Sequence, residues 1–271
     1  MREAAQETAQ QELNAVVAGL WLTALIPIGL LPSFGFFTWI ERNCTLPVLP
    51  LTLGWPWIDG STWSLPAKLG WNGLLFALFG ALHTLFAQPR IQKRLWAWIP
   101  LQARRSFYIM LTGVTLTAVA STWQSTGLVL WALPLRPDRM ILLSPLVFWM
   151  LYLPGIALLV RHDFLGFFGL RQLFQTRGEI LASEQTPRLV TDGVYGVVRH
   201  PIYTFTLAAI LIAPMMTLDR FWIFAVMVGY LAWAIPIEEK KLVSLFGEKY
   251  SDYQTQIPAV FPRFGIKKAP L

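Results

Sequence analysis

Cysteine is almost absent. Cys44 stands alone in 271 residues, which excludes an intramolecular disulfide and a multi-cysteine metal site. Charge is nearly as scarce. Asp, Glu, Lys and Arg together make up 14% of the chain, where a soluble domain carries about 25%. Long stretches with no charge at all require a solvent other than water. Internal repeats and low-complexity tracts are lacking too. Met1 to Glu12 holds one Arg and three Glu, where a cleavable leader needs positive charge, and the apolar run after it is too long for one. The terminal Lys267-Lys268-Ala269-Pro270-Leu271 forms no lipidation box.

What is present is apolar and aromatic. Hydrophobic residues make up 55% of the chain, with 13 Trp and 18 Phe, and the mean hydropathy is +0.51. Uncharged runs mark six expected spans: Leu13 to Ile40, Leu69 to Gln88, Ser106 to Leu135, Met140 to Val160, Pro201 to Leu218 and Phe221 to Ile237. The last two are short and separated only by Asp219-Arg220, so they read as a tight helical hairpin. The expected architecture is an all-α polytopic transmembrane bundle. It divides into an N-terminal four-span region, 1–160, and a region of cytoplasmic loop, hairpin and tail, 161–271.

Orientation is set by the basic residues. With six spans both termini share a side; that side carries 17 Lys and Arg and the other five. Both termini are thus expected in the cytoplasm, and the setting is a bacterial inner membrane. The net charge of +7 reads as charge for anionic headgroups, with no nucleic acid partner. Pro89 to Ala103 places Ile91, Leu95, Trp98 and Ile99 at helical spacing and reads as a helix lying in the interface. Leu242, Leu245, Phe246, Tyr250 and Tyr253 form a similar stripe in the tail, best explained by packing. The loop Glu41 to Pro66, with four Pro and three Trp, reads as a cap on the far side.

The densest polar set beside the membrane runs Thr-Asp-Gly-Val-Tyr-Gly-Val-Val-Arg-His-Pro-Ile-Tyr from Thr191. Pro201 suits the first turn of a helix and keeps His200 out of the α region. His200 therefore sits at a helix N-terminus, where free N–H groups and the positive dipole end collect. A hairpin returns its end to the side where it began, so Glu238-Glu239 is expected beside His200. Acidic groups at a helix C-terminus oppose the dipole, which asks for a cation or hydroxyl donors there.

The ordered set Gly193-x-Tyr195-x-x-x-Arg199-His200-Pro201-x-Tyr203, Glu238-Glu239, Phe246-Gly247-Glu248-x-Tyr250-x-x-Tyr253, Pro258 and Pro262 resembles the isoprenylcysteine carboxyl methyltransferase superfamily. The resemblance implies S-adenosylmethionine as cofactor, held by Tyr195, His200, Pro201, Tyr203 and Glu238, with Leu189 and Val190 in an upstream strip. Further N-terminal, Ala81-Leu82-His83-Thr84, Ala87-x-Pro89, Arg105-Ser106-x-Tyr108 and Asp163-Phe164-x-Gly166 are similar to the NnrU-like and methanethiol S-methyltransferase branch. The implied enzyme is a membrane methyltransferase with a small or lipophilic acceptor, a thiol before a carboxylate, and no metal. Arg171 and His83 are the candidates to favour a thiolate.

The chain departs from the pattern at three places. Phe205 stands where a Gly is frequent and is expected to narrow the groove beside the cofactor. Arg104 replaces an acidic residue of the methanethiol branch. Ala234 and Ile235 lie where the prenylcysteine enzymes carry a basic residue for the substrate carboxylate. Two other readings stay open: a membrane reductase using a nicotinamide cofactor, and an NnrU-like haem-binding protein with His83 and His162 as ligands.

Overall fold

The computed structural model describes residues 16–45, 58–176, 178–180 and 189–263. The expectations for Met1 to Glu12, for the middle of the 41–66 cap, and for the tail after Arg263 lie outside the described residues. In lipid every backbone N–H and C=O must find its partner within the segment or its neighbours, and the apolar runs accordingly become helices. Helix α1 spans Val16–Glu41, with a π-helical segment, Ile26–Leu30, that seats Pro27. Next come helices α2 (Leu65–Phe86), α3 (Pro89–Leu95) and α4 (Arg104–Thr122). Strand β1 (Val129–Ala132) precedes α5 (Pro137–Phe167) and the short α6 (Leu170–Leu173). The chain continues through α7 (Pro201–Leu211), β2 (Met215–Thr217), α8 (Leu218–Phe246) and α9 (Glu248–Gln256).

One apolar core joins six of the helices. Phe36 of α1, Phe76 of α2, Leu116 of α4, Phe148 of α5, Ile210 of α7 and Ile223 of α8 are buried together. A second cluster packs Trp96, Ile99 and Ala103, from the segment expected at the interface, against Leu25, Tyr108 and Leu173. The all-α membrane class holds. Four helices, α1, α2, α5 and α8, are long and apolar enough to cross a bilayer. Helix α7 is an 11-residue apolar helix of about 16 Å, well short of a hydrocarbon core of about 30 Å.

Two of the uncharged runs end early as helix. The run from Ser106 stops being helix at Thr122, and the run from Pro201 stops at Leu211. Each then leads into a strand, and β1 and β2 pair antiparallel, Val129 opposite Thr217 and Ala132 opposite Met215. Absence of charge does not distinguish a strand from a helix, so the pattern carries both runs too far. The hairpin is joined through 212–217, and Asp219-Arg220 lies in the first turn of α8, where Thr217 Oγ1 accepts from the Arg220 N–H at 3.2 Å.

Those two charges are buried structural pins. Arg220 is fully buried and donates from Nε to Ile210 O and from a terminal nitrogen to Ala209 O, each at 2.7 Å. These are carbonyls of the last turn of α7, which have no partner within their own helix. Its guanidinium also stands 5.6 Å over the Phe148 ring. Asp219 accepts from Trp123 Nε1 at 2.9 Å and from the Thr126 hydroxyl at 2.7 Å, tying the loop after α4 to the start of α8. Replacing Arg220 with Leu is expected to destabilise the protein by about 3 kcal/mol, because each buried carbonyl left without a donor costs about 1–3 kcal/mol. Unfolding in mixed detergent micelles measures it; an unchanged midpoint would show that the cap is dispensable.

Candidate functional site

The site forms where α7 begins. His200 is the N-cap of α7, with extended-side dihedrals of φ −122° and ψ 66° and Pro201 in the first turn, as the Pro201 constraint requires. The segment before it is held from behind by the end of the tail. Arg199 N–H donates to Pro258 O and His200 N–H to Ala259 O, both at 2.9 Å. Thr204 Oγ1 donates to Val260 O at 2.6 Å. The Gly193–Gly196 turn is anchored by Tyr253, whose hydroxyl donates to Tyr195 O at 2.6 Å.

Glu238 and Glu239 come from α8, and the structure does bring them to His200. They do not close the helix, however. Helix α8 runs on past Pro236 to Phe246, so the opposition to the dipole expected there does not arise. A charged residue marks where a helix leaves the membrane, not where it ends. The two carboxylates have different surroundings. Glu239 has only 10% of its side chain exposed and meets the Arg199 Nε at 2.6 Å. Its second oxygen accepts from another Arg199 nitrogen at 3.0 Å and from Gln254 Nε2 at 2.8 Å. His200 Nε2 is 3.0 Å from Glu239 Oε1, and the Tyr250 hydroxyl stands 3.5 Å from the same oxygen.

Glu238 is open by comparison. Its side chain is 45% exposed, with Oε2 lying 3.8 Å from His200 Nδ1. It accepts from the Tyr203 hydroxyl at 3.0 Å. Tyr203 and His200 stack, ring centroids 5.3 Å apart and 13° from parallel. Tyr195 belongs to the same group. Burial first, and the Glu238 carboxylate second, push its phenol above the ordinary tyrosine value, so it stays a neutral donor. Leu189 and Val190, half-buried, lead into the Tyr195 turn. The sequence thus identifies His200, Pro201, Tyr203, Tyr195 and Glu238 as neighbours, and the structure gathers them.

A second polar group lies deeper. The Tyr108 hydroxyl is 2.8 Å from His83 Nε2, and Thr112 Oγ1 is 3.3 Å from His83 Nδ1. Thr84 and Tyr230 share a hydroxyl contact of 2.9 Å. Tyr108, Tyr230, Tyr203 and Glu238 all lie within electrostatic range of one another, so the two groups adjoin. Arg105 stands 5.4 Å over the Tyr108 ring and 5.2 Å over Phe167. Arg171 sits exposed on α6, an element placed by Gly169. That glycine has φ +78°, and a methyl on it would come 2.7 Å from the Ser106 nitrogen. Phe205 packs on α5 where Gly155 leaves room for it.

Sequence reasoning leaves Tyr230 out of the site and does not foresee the pairing of Arg199 with Glu239. Tyr230, Ala234 and Glu238 lie on the i, i+4, i+8 ridge of one helix face, a signal present in the spacing. Tyr230 also covers Gly80 of α2, where a methyl would come 2.5 Å from its ring. Removing one partner of a buried ion pair costs about 3–5 kcal/mol, so Arg199→Ala is expected to loosen α9. Trypsin cleavage at Lys249 would rise sharply, with Arg199→Lys restoring only part of the protection because it lacks the planar fork. Equal protection in all three proteins would show that the pair does not hold the tail.

The phospholipid methyltransferase family model matches residues 141–249. Methanethiol S-methyltransferase 2 of Bradyrhizobium diazoefficiens is 31% identical over 221 residues, 77% of this chain and 79% of that one. Methanethiol S-methyltransferase of Crocosphaera subtropica is 29% identical over 198 residues, 71% and 74% of the two chains. Nurim of Homo sapiens is 26% identical over 192 residues, 66% and 70%. No solved structure matches the chain. The chain belongs to the family of integral membrane methyltransferases that includes the methanethiol S-methyltransferases, within the phospholipid and isoprenylcysteine methyltransferase superfamily.

Proposed function

We propose that this protein transfers a methyl group from S-adenosylmethionine to a small thiol, at the cytoplasmic face of the bilayer. One observation carries the reading: of two adjacent carboxylates, Glu239 is closed in by Arg199, His200 and Gln254, while Glu238 stays 45% exposed. An open carboxylate beside an imidazole and a hydrogen-bonded phenol suits a ligand that brings ammonium and hydroxyl donors. Leu189, Val190 and Pro201 are the apolar residues assigned to its flank. The donor set therefore fits the cofactor. Bound there, S-adenosylmethionine supplies a methyl carbon on a sulfonium sulfur that departs as a neutral thioether.

The chain's own work is orientation and proton management. Glu239 holds His200 by its Nε2, which leaves Nδ1 turned towards Glu238. Tyr203 fixes Glu238, and Tyr195 closes the turn. Displacement at a methyl carbon needs alignment and a dry setting more than acid–base help. A thiol acceptor does release one proton as its sulfur–methyl bond forms, and His83 is placed to take it, with Tyr108 and Thr112 holding its ring. Arg105 is a cation beside that pair, and a nearby positive charge favours a thiolate. Relatives named for methanethiol S-methylation support the thiol; with methanethiol the product would be dimethyl sulfide.

Purified protein is expected to bind S-adenosylmethionine saturably by calorimetry. Glu238→Gln and His200→Ala are each expected to weaken binding about ten- to a hundredfold, the loss of about 1.5–3 kcal/mol from a hydrogen bond to a charged group. Tyr203→Phe would lose less. Affinity for a nicotinamide cofactor or haem in place of S-adenosylmethionine would overturn the reading.

A further inference from the structure

We infer that the gap between α2 and α4 beside His83 is the acceptor niche, open sideways to lipid and sized for the smallest thiols. This deepens the proposed function and rests on it. Leu82, His83 and Phe86 of α2 and Tyr108, Leu111 and Thr112 of α4 enclose a cavity of about 10 Å³. That is about the least that holds one water. Admitting even a two-heavy-atom acceptor requires Leu111 or Phe86 to turn aside, and a larger acceptor requires more displacement.

The niche is polar at its floor and apolar at its mouth. His83, Tyr108 and Thr112 are joined to one another by hydrogen bonds, in a region where polar side chains are expensive and face the bundle interior. Leu82, Phe86 and Leu111 are only half-buried, and in the bilayer their open sides meet lipid. An uncharged thiol partitions into that lipid and reaches the floor without crossing water, whereas a charged acceptor does not. Tyr108 belongs to both compartments. It is buried, bonded to His83, and within electrostatic range of Tyr203 and Glu238. An acceptor seated against Tyr108 is therefore beside the group assigned to the cofactor.

Two measurements on the full chain test this. With S-adenosylmethionine present, the kcat/KM ratio of 1-butanethiol to methanethiol is expected to rise about tenfold or more in Leu111→Ala and in Phe86→Ala, the scale of discrimination per methylene in an apolar pocket. Leu111→Phe is expected to lose methanethiol turnover while binding S-adenosylmethionine as the wild type does. A ratio that stays constant in variants that still turn over methanethiol overturns the niche and leaves the proposed function standing; a wild-type protein that methylates neither thiol overturns the function and the niche with it. The second readout needs no turnover. In a Cys44→Ser background, Leu111→Cys is expected to react with methyl methanethiosulfonate at least about tenfold faster than with the benzyl reagent. Equal rates for the two reagents overturn the size limit.

Discussion

Glu239 is a carboxylate largely withdrawn from water, and its need for partners organises the site. A buried charge is tolerated only when it is paired and its remaining lone pairs are used. Here the partners come from two places, Arg199 and His200 at the start of α7 and Gln254 and Tyr250 from α9, and they meet on α8, which carries Glu239. One carboxylate thus fixes the mutual position of three elements that are distant in the chain. The neighbouring Glu238 is left in a rigid frame but not consumed by it. A group that is held in place and still exposed is what a ligand site requires, and the Glu-Glu pair separates the two requirements between adjacent residues.

Much of this is legible in the sequence. The scarcity of charge gives the solvent, and Pro201 gives the conformation of His200 from elementary sterics. A hairpin, although its boundaries differ from those of the uncharged runs, correctly places Glu238 near His200. The illegible parts share a cause. Uncharged residues look alike in a helix, in a strand and in a tight connection, so β1, β2 and the short α7 are absorbed into longer spans. The division of labour between Glu238 and Glu239 is also hidden, because it depends on Gln254 and on the backbone of Pro258 and Ala259 arriving from the tail. The polar group at His83 is visible in the sequence only as single residues. Its connection to Glu238 runs through Tyr108 and Tyr230, on two different helices.

The far end of the bundle shows the same physics in another form. Arg220 fastens the exposed carbonyls at the end of α7, and Asp219 gathers the loop after α4. Both sit in the first turn of α8. The same helix therefore begins by securing the C-terminus of α7 and later brings Glu238 and Glu239 to its N-terminus. Helix α7 is short and apolar, and its position is set at both ends by charges on α8. That arrangement lets an element too short to cross the bilayer unaided sit firmly inside the bundle, with its N-terminus directed at the site.

The backbone contacts of Arg199 and His200 with Pro258 and Ala259 have a consequence for biogenesis. A ribosome releases the chain in order, so the junction at His200 emerges before α9 and the strap after it. Until that strap emerges, the His200 junction lacks the carbonyls that hold it, and the Glu239 carboxylate lacks Gln254. The pocket is therefore complete only once Pro258 and Ala259 have followed, however early α7 takes its place.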